Sequence, residues 1–194
     1  MICERTPEEI IREIKRFHGF IAPGLLIGAF MVDLARKHIG KNIEADAIVE
    51  TCHCLPDAVQ LFTPCTIGNG WLKILDLGKF AITLHDRHTH EGVRVWLDLN
   101  KTKSHTNIYN WFMGRVSKKD LPADILVNAI FRAGSDILSY REVSVTRFAD
   151  RSKKENTRIC PSCHEAYTSA QGDLCLACQG QGYYELKDES VLVP

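Results

Sequence analysis

The sequence lacks a net charge, a long apolar run and a signal-like start. Lysine plus arginine number 24 and aspartate plus glutamate number 24 in 194 residues, so the formal net charge is zero. Such a chain has no overall positive field to drive non-specific binding to nucleic acid. Its apolar runs fall short of the roughly 20 residues that span a bilayer, and it begins with charged residues in an amphipathic pattern. We therefore expect a cytoplasmic protein that does not enter the membrane.

Cysteine, by contrast, is plentiful. The chain contains eight cysteines, which in a small secreted protein would indicate four disulfides. Because two C-x2-C pairs are present and no secretion signal is seen, reduced thiols and metal ligation are favoured instead. The composition is 45% hydrophobic and 25% charged, which is typical of a globular protein. The length allows one domain of about 150 residues with a small appendage.

Local patterns predict both helices and strands before residue 150. Thr6 with Glu9 forms a capping-box pattern that starts a helix, and Gly19 ends it. A second helical pattern opens at Pro23, so His18 lies in the turn between two helices. Further helices are predicted at 56–62, 107–115 and 122–140. Strands are predicted at 43–52, 71–78, 79–86, 93–100 and 140–148.

The apolar periodicity disappears between residues 147 and 158. This stretch carries five basic residues and two acidic ones, which is typical of a linker. We therefore predict two domains, an α+β core over residues 1–150 and a small C-terminal domain over residues 151–194.

The C-terminal segment contains four cysteines spaced as C-x2-C-x11-C-x2-C: Cys160, Cys163, Cys175 and Cys178. Two such pairs can close a tetrahedron around zinc, and four protein ligands leave no open position. The spacing therefore predicts a structural zinc finger, with rubredoxin-like iron and disulfides as the alternatives. We expect Tyr183 or Tyr184 to pack against the knuckle.

The role of the finger is less constrained than its ligands. The basic linker beside it would suit nucleic acid, but base-stacking aromatic residues are sparse here. Contact with a protein partner, or support of a dimer, is therefore the favoured hypothesis, and nucleic acid is the alternative.

Three more cysteines, Cys52, Cys54 and Cys65, lie in the stretch "CHCLPDAVQLFTPCTIGNG". Free cysteines are often simply small buried residues. A functional site would need a partner such as His18 or Asp57, and thiolate with imidazole suits zinc or a similar divalent metal. A metal-free Cys–His pair with an activated thiol is the competing possibility.

Three further histidines, His85, His88 and His90, fall near a predicted hairpin turn. No cysteine is placed to complete a metal site with them. We interpret them as solvated turn residues.

Several linked motifs resemble one family. "FHGFIAPGLLIGAF", "CHCLPDAVQLFTPCTIGNGWL" and "DLGKFAI" are similar, in this order, to segments of the FmdE family, which is named after the E component of formylmethanofuran dehydrogenase. The resemblance covers about residues 10 to 90, and the C-terminal ribbon is similar to a zinc finger that some members append. It implies an α+β core in which an antiparallel sheet packs against helices, and an intertwined homodimer.

The resemblance also selects candidate residues. The family's motif residues fall on His18, Cys54 and Cys65, which implies a core site for a second Zn²⁺ or another divalent metal. Three further motif positions are pocket candidates: Asp57, Gln60 and Thr66. The chain departs from the family pattern at three places, with Phe20 where a second histidine is expected, Ala22 where a cysteine is common, and Asn69-Gly70-Trp71 in place of Lys-Gly-Asn.

Two functional hypotheses follow from these residues and the resemblance. The first is a zinc-binding accessory protein that acts in metal sensing, regulation or protein interaction. The second is an enzyme, or a component of one, that acts on a small one-carbon or acyl substrate at the core metal or thiolate. The chain by itself has no evident means of holding a molybdopterin or a chain of iron–sulfur clusters.

Overall fold

The computed structural model describes residues 1–40, 43–117, 119–146 and 156–184. The chain divides into two compact units, Met1–Ala149 and Asp150–Pro194. Helices and a sheet pack together in the first unit, which confirms the predicted α+β class. Across the described residues, no helix has both the length and the apolar character needed to cross a bilayer.

The first unit contains six helices and five strands among its described residues. The helices are α1 Pro7–His18, α2 Pro23–Ile39, α3 Leu55–Phe62, α4 Leu99–Thr102, α5 Thr106–Phe112 and α6 Ala123–Ala133, with a 3-10 turn at Gly134–Ile137. The strands are β1 Ala45–Val49, β2 Leu72–Ile74, β3 Ala81–Asp86, β4 Glu91–Leu97 and β5 Leu138–Ser144.

The five strands form one sheet in the order β2-β1-β3-β4-β5. Strands β1, β3, β4 and β5 pair antiparallel, as predicted. The exception is β2, which pairs parallel to β1, with Val49 opposite Ile74. Helix α3 lies between these two strands in the chain and carries it back, so β2 runs in the same direction as β1.

Helix α2 is the centre of the core. It is buried around most of its circumference from Gly24 to Val32, and it packs on α3 and on the inner face of the sheet. Alternate strand residues such as Val49, Ile82 and Val95 face it, because successive side chains in a strand point to opposite faces. The core therefore lies between the sheet and α2, with the other helices around it.

The boundaries of α1 agree with the local pattern, whereas those of α6 do not. Thr6 Oγ1 accepts a hydrogen bond from the Glu9 backbone N–H at 3.3 Å, and Glu9 accepts one from the Thr6 N–H at 2.8 Å. The helix predicted at 122–140 ends at Ala133 instead. Gly134, with a φ of 54°, turns the chain out of the helix and towards β5.

The outer face of the sheet carries a buried ion pair. Glu50, which follows β1, is only 7% exposed, and the Arg94 guanidinium on β4 donates two hydrogen bonds to it at 2.6 and 2.7 Å. Arg94 and Arg141 also lie near the Trp96 ring, at 5.3 and 5.7 Å from its centroid. Glu50 thereby anchors the start of the cysteine-rich stretch to the sheet.

The histidine at the hairpin does not behave as predicted. His85 is on β3 and is only 3% exposed, so its interpretation as a solvated turn residue was wrong. Gly92 lies opposite it on β4, and a Cβ added to Gly92 would lie 2.6 Å from the His85 Cβ. The missing side chain leaves room for the imidazole. His88 is exposed, as expected for the turn.

The second unit is built around its cysteines. Strands β6 Thr157–Ile159 and β7 Ala166–Thr168 pair antiparallel and are followed by a 3-10 turn, Ser169–Gln171, and a π turn, Ala177–Gln181. The buried aromatic residue is Tyr167, whose hydroxyl donates to the Gly172 carbonyl at 2.8 Å. The prediction that Tyr183 or Tyr184 packs here was wrong, because they are 97% and 49% exposed.

Candidate functional sites

The four finger cysteines are gathered into one cluster. Their sulfur atoms all lie within 4.8 Å of one another, and the Cys163 and Cys175 sulfurs are 3.8 Å apart. Zinc–sulfur bonds of about 2.3 Å in a tetrahedron place the sulfur atoms about 3.8 Å apart. The cluster therefore fits a zinc ion with four thiolate ligands, which is the arrangement of a structural site.

Backbone hydrogen bonds shape the first knuckle. The Cys160 carbonyl accepts from the His164 N–H, and the Cys160 N–H donates to the Glu165 carbonyl, both at 2.9 Å. His164 has a φ of 63°, so it supplies the left-handed turn of the knuckle. The side chain of His164 does not belong to the cluster.

The thiols of the cluster affect each other's ionisation. The backbone N–H groups of Cys175 and Cys163 lower the pKa of Cys160 to about 6. The Glu165 N–H lowers the pKa of Cys163, but burial and the neighbouring sulfurs outweigh it and raise that pKa to about 12. A divalent cation removes this conflict because it stabilises all four thiolates, and its binding releases protons.

In the core, the structure brings His18 and Asp57 together. His18 is the last residue of α1, Asp57 is in the first turn of α3, and the Nδ1 and Oδ2 atoms are 2.7 Å apart. An ionised carboxylate can only accept, so Nδ1 donates the proton and Nε2 keeps its lone pair. Metal-binding histidines commonly donate their second ring N–H to a carboxylate in this way.

Cys54 is held in an uncommon backbone conformation at the start of α3. Its φ is 55° and its ψ is −46°, and the Leu55 N–H donates to the His53 carbonyl at 2.5 Å. This is a γ-turn with a positive φ, a rare and strained form, and such strain clusters at functional sites. Burial, followed by the Asp57 carboxylate, raises the pKa of the Cys54 thiol, while the Leu25 N–H lowers it.

The third predicted core ligand lies apart. Cys65 is fully buried, and its sulfur donates a hydrogen bond to the Ala45 carbonyl of β1 at 3.2 Å. Over the described ranges, the finger cysteines are the one group of three or more potential ligands whose atoms lie within 4.8 Å of one another. The structure therefore does not gather His18, Cys54 and Cys65 into a preformed three-ligand site.

The pocket candidates Gln60 and Thr66 stabilise a loop. Gln60 accepts from the Ile67 N–H at 3.3 Å, and Thr66 and Asn69 exchange hydrogen bonds through their backbone N–H groups and side chains at 3.0 and 3.1 Å. Asn69 also donates to the Pro64 carbonyl at 2.8 Å. Sequence reasoning missed Asn69 as the organiser of this loop, although an Asn between two glycines is a usual turn signal.

Two neighbours of the core site differ in exposure. Phe20, at the position of the second family histidine, is 62% exposed, and its ring meets the His18 ring edge-on with centroids 4.7 Å apart. Cys52 is exposed, and hydrogen bonding to the Asp76 carboxylate raises its pKa. Cys54, His18 and Asp57 thus form the candidate core site, and Phe20 lies at its edge.

Two family models match the chain. The model described as "FmdE, Molybdenum formylmethanofuran dehydrogenase operon" matches residues 17–147. The model described as "FmdE treble clef zinc finger" matches residues 151–185. Together these ranges contain every candidate ligand of the core and of the finger.

One solved structure and one curated protein show how far the similarity extends. The crystal structure of an FmdE-like protein of the tungsten formylmethanofuran dehydrogenase type, from Syntrophus aciditrophicus, is 47% identical, with a TM-score of 0.86 over 95% of this chain and 98% of that chain. A protein from Archaeoglobus fulgidus named "Probable S-adenosyl-L-methionine-binding protein" is 31% identical over 90% of this chain. The chain spans 53% of the length of that relative.

Proposed function

This chain belongs to the FmdE family, and from that premise we propose that it is a zinc-binding accessory protein with a second, core metal or thiolate site. The finger is the structural zinc domain. The core site is formed by Cys54 and His18, with Asp57 as the hydrogen-bond partner of His18. The physiological role of such a protein is metal sensing, regulation or interaction with a partner.

One observation carries the proposal of a core site, namely the 2.7 Å contact between His18 Nδ1 and Asp57 Oδ2. This contact fixes the tautomer that leaves Nε2 available, and the thiol-bearing γ-turn of Cys54 precedes Asp57 by three residues. Imidazole and thiolate are ligands that suit zinc. Cys65 becomes a third ligand only if its hydrogen bond to Ala45 breaks, so water or a small ligand completes the coordination otherwise.

Zinc stoichiometry tests this proposal. We expect two zinc ions per wild-type chain and one in the Cys54→Ala and His18→Ala variants. The matched controls are Cys52→Ala and His53→Ala, which change the neighbouring residues and should retain two. Cys65→Ala tells whether Cys65 binds as a third ligand. A single zinc ion that survives both Cys54→Ala and His18→Ala contradicts the core site.

The alternative, an enzyme acting on a small one-carbon or acyl substrate, is favoured by the strained backbone at Cys54. An enzyme of this kind would release the product from a small formyl or acyl ester faster than buffer does. The Cys54→Ala variant would lose that activity and Cys52→Ala would keep it. Hydrolysis at the buffer rate by zinc-loaded protein excludes this alternative for the esters tested.

The name of the Archaeoglobus relative raises S-adenosyl-L-methionine as a ligand to test. The aligned part covers 90% of this chain at 31% identity, but about half of the relative lies outside it. Calorimetric titration of the full chain with S-adenosyl-L-methionine separates the two cases. Heat of binding supports a site in the shared region, and its absence assigns the property to the remainder of the relative.

The proposed partners are a second copy of the chain and a protein that contacts the finger. Light scattering should give twice the chain mass of 21.9 kDa for a homodimer. A mass of one chain at micromolar concentration contradicts the homodimer.

A further inference from the structure

Gly24, the second residue of α2, lies directly against Cys54. A Cβ added to Gly24 would be 2.9 Å from the Cys54 sulfur and 3.1 Å from its Cβ, with the Phe80 ring at 3.5 Å. Real Cβ atoms do not approach neighbours to 2.9 Å, so any side chain at residue 24 must displace the thiol. Sequence reasoning treated this glycine only as part of a helix start.

The absence of a side chain here brings the thiol to the N-terminus of α2. The helix has Ala22 as its N-cap, which makes no side-chain hydrogen bond, so its first N–H groups are open to another acceptor. The Leu25 N–H is directed at the Cys54 sulfur. A helix N-terminus favours negative charge, and a thiolate there is better stabilised than one in the apolar core.

We propose that Gly24 is a positioning residue of the core site, whose missing side chain holds the Cys54 thiol between the α2 N-terminus and the His18–Asp57 pair. This inference deepens the proposed function and rests on it for the metal. The geometric part, that Gly24 makes room for the Cys54 side chain, stands independently of any metal.

Gly28 provides a matched control one turn later on the same helix. A Cβ added to Gly28 would lie 2.5 Å from the Ala58 Cβ and 3.1 Å from a Leu55 methyl carbon, which is a closer approach than the one at Gly24. A methyl group there disturbs the packing of α2 on α3 without touching the Cys54 sulfur. If close packing alone mattered, Gly28→Ala would be at least as damaging as Gly24→Ala.

The metal arm of the test compares the full-length wild type, Gly24→Ala, Gly28→Ala and Cys54→Ala by competition of zinc with a chelating indicator. We expect Gly24→Ala to weaken the core zinc about tenfold or more, as loss of a supporting residue commonly does, and Gly28→Ala to leave it unchanged. Unchanged core zinc in Gly24→Ala, or equal weakening in both variants, overturns the inference. If the wild type binds only the finger zinc, the core metal site fails, and the second arm decides the role of Gly24.

The second arm is a double-mutant cycle in denaturant, on chains with zinc in the finger. Gly24→Ala should lower the unfolding midpoint of the core in the Cys54 background, and much of that loss should be recovered in the Cys54→Gly background, where the atoms that clash are absent. The same cycle with Gly28→Ala should show no recovery. Equal losses from Gly24→Ala in both backgrounds contradict the inference.

A reactivity measurement separates positioning from packing. In metal-free wild type the Cys54 sulfur is shielded, whereas the added methyl group in Gly24→Ala turns it outward. We expect faster alkylation of Cys54 by iodoacetamide in Gly24→Ala and an unchanged rate in Gly28→Ala, measured by mass spectrometry at that residue. A slower or unchanged rate in Gly24→Ala counts against the inference.

Discussion

The finger and the core use cysteine in opposite ways. In the finger, four thiols within 19 residues have sulfur atoms that all lie within 4.8 Å of one another. In the core, Cys54 and Cys65 lie only eleven residues apart, yet one faces the start of α2 and the other binds the Ala45 carbonyl. Close spacing therefore gathers ligands only where the local backbone is built as a knuckle, whereas the core assembles its site from distant elements.

The largest expected effect separates the two regions completely. Removing zinc with a chelator, or changing Cys175→Ala, should unfold the finger, because metal binding contributes on the order of 10 kcal/mol to the folding of such a small domain. Limited proteolysis should then cut within residues 156–184 while the core remains intact. Cys52→Ala is the control that leaves the finger closed. Simultaneous digestion of the core would show that the two regions do not fold independently.

Next in size is the ion pair that anchors the cysteine-rich stretch of the core. Glu50→Gln should lower the free energy of unfolding by about 2–3 kcal/mol, because the desolvated Arg94 loses its carboxylate partner. The side chains are 9% and 26% exposed, so some of the charge remains solvated. Urea unfolding measures the loss, with Glu142→Gln on β5 as an exposed control. Equal stability of both variants would show that solvent satisfies Arg94.

Thiol reactivity sharpens the contrast within the core itself. In the zinc-loaded finger the thiols are ligated, so alkylation reports on the four others. Exposed Cys52 should react first, and Cys54 second. Burial raises the pKa of Cys3 to about 12, and Cys65 is fully buried, so both should react only after unfolding. The thiolate fraction of Cys3 alone predicts a rate about a thousandfold below that of an ordinary thiol.

Mass spectrometry of each cysteine-containing peptide over time gives this order. Labelling of Cys65 in the native chain at the rate of Cys52 would contradict its burial. Such a result would reopen its assignment as a ligand available to a core metal.

The smallest expected effect is a pH dependence of core stability from His85. Burial lowers its folded-state pKa below the ordinary value of 6.5, so the unfolded chain takes up its proton first. Stability that is present above pH 6.5 is therefore lost as the pH falls through 6.5 towards the folded-state pKa. Unfolding midpoints between pH 7.5 and 5 should fall less steeply in His85→Gln than in the wild type. The exposed His88→Gln should keep the wild-type slope.

Local chemistry made part of the fold readable from the sequence. The Thr6–Glu9 capping box and the finger spacing depend on contacts within a few residues, and both appear as predicted in the structure. The helix predicted at 122–140 failed because apolar periodicity continues past Gly134, and only the backbone turn at that glycine ends α6. Periodicity cannot distinguish the end of a helix from the first buried residues of a following strand.

The core site was only partly predictable for a different reason. His18 and Asp57 are 39 residues apart, and their contact depends on how α1 packs beside α3. The motif resemblance named both residues but also placed Cys65 with them, which the packing of Cys65 on β1 does not support. Likewise, the burial of His85 follows from the glycine across the β3–β4 pair, which turn chemistry alone does not reveal.

The parallel pairing of β2 with β1 makes the segment from Ala45 to Ile74 a closed unit of the core. Both of its ends are held in one ladder, and β2 contributes only three residue pairs at the edge of the sheet. Such an edge is where local opening starts in native-state hydrogen exchange. Release of β2 frees one end of this segment, so the shielded thiols gain access to solvent through a sub-global fluctuation without complete unfolding. The lifetime of the cysteines in the native protein is then set by a three-residue strand.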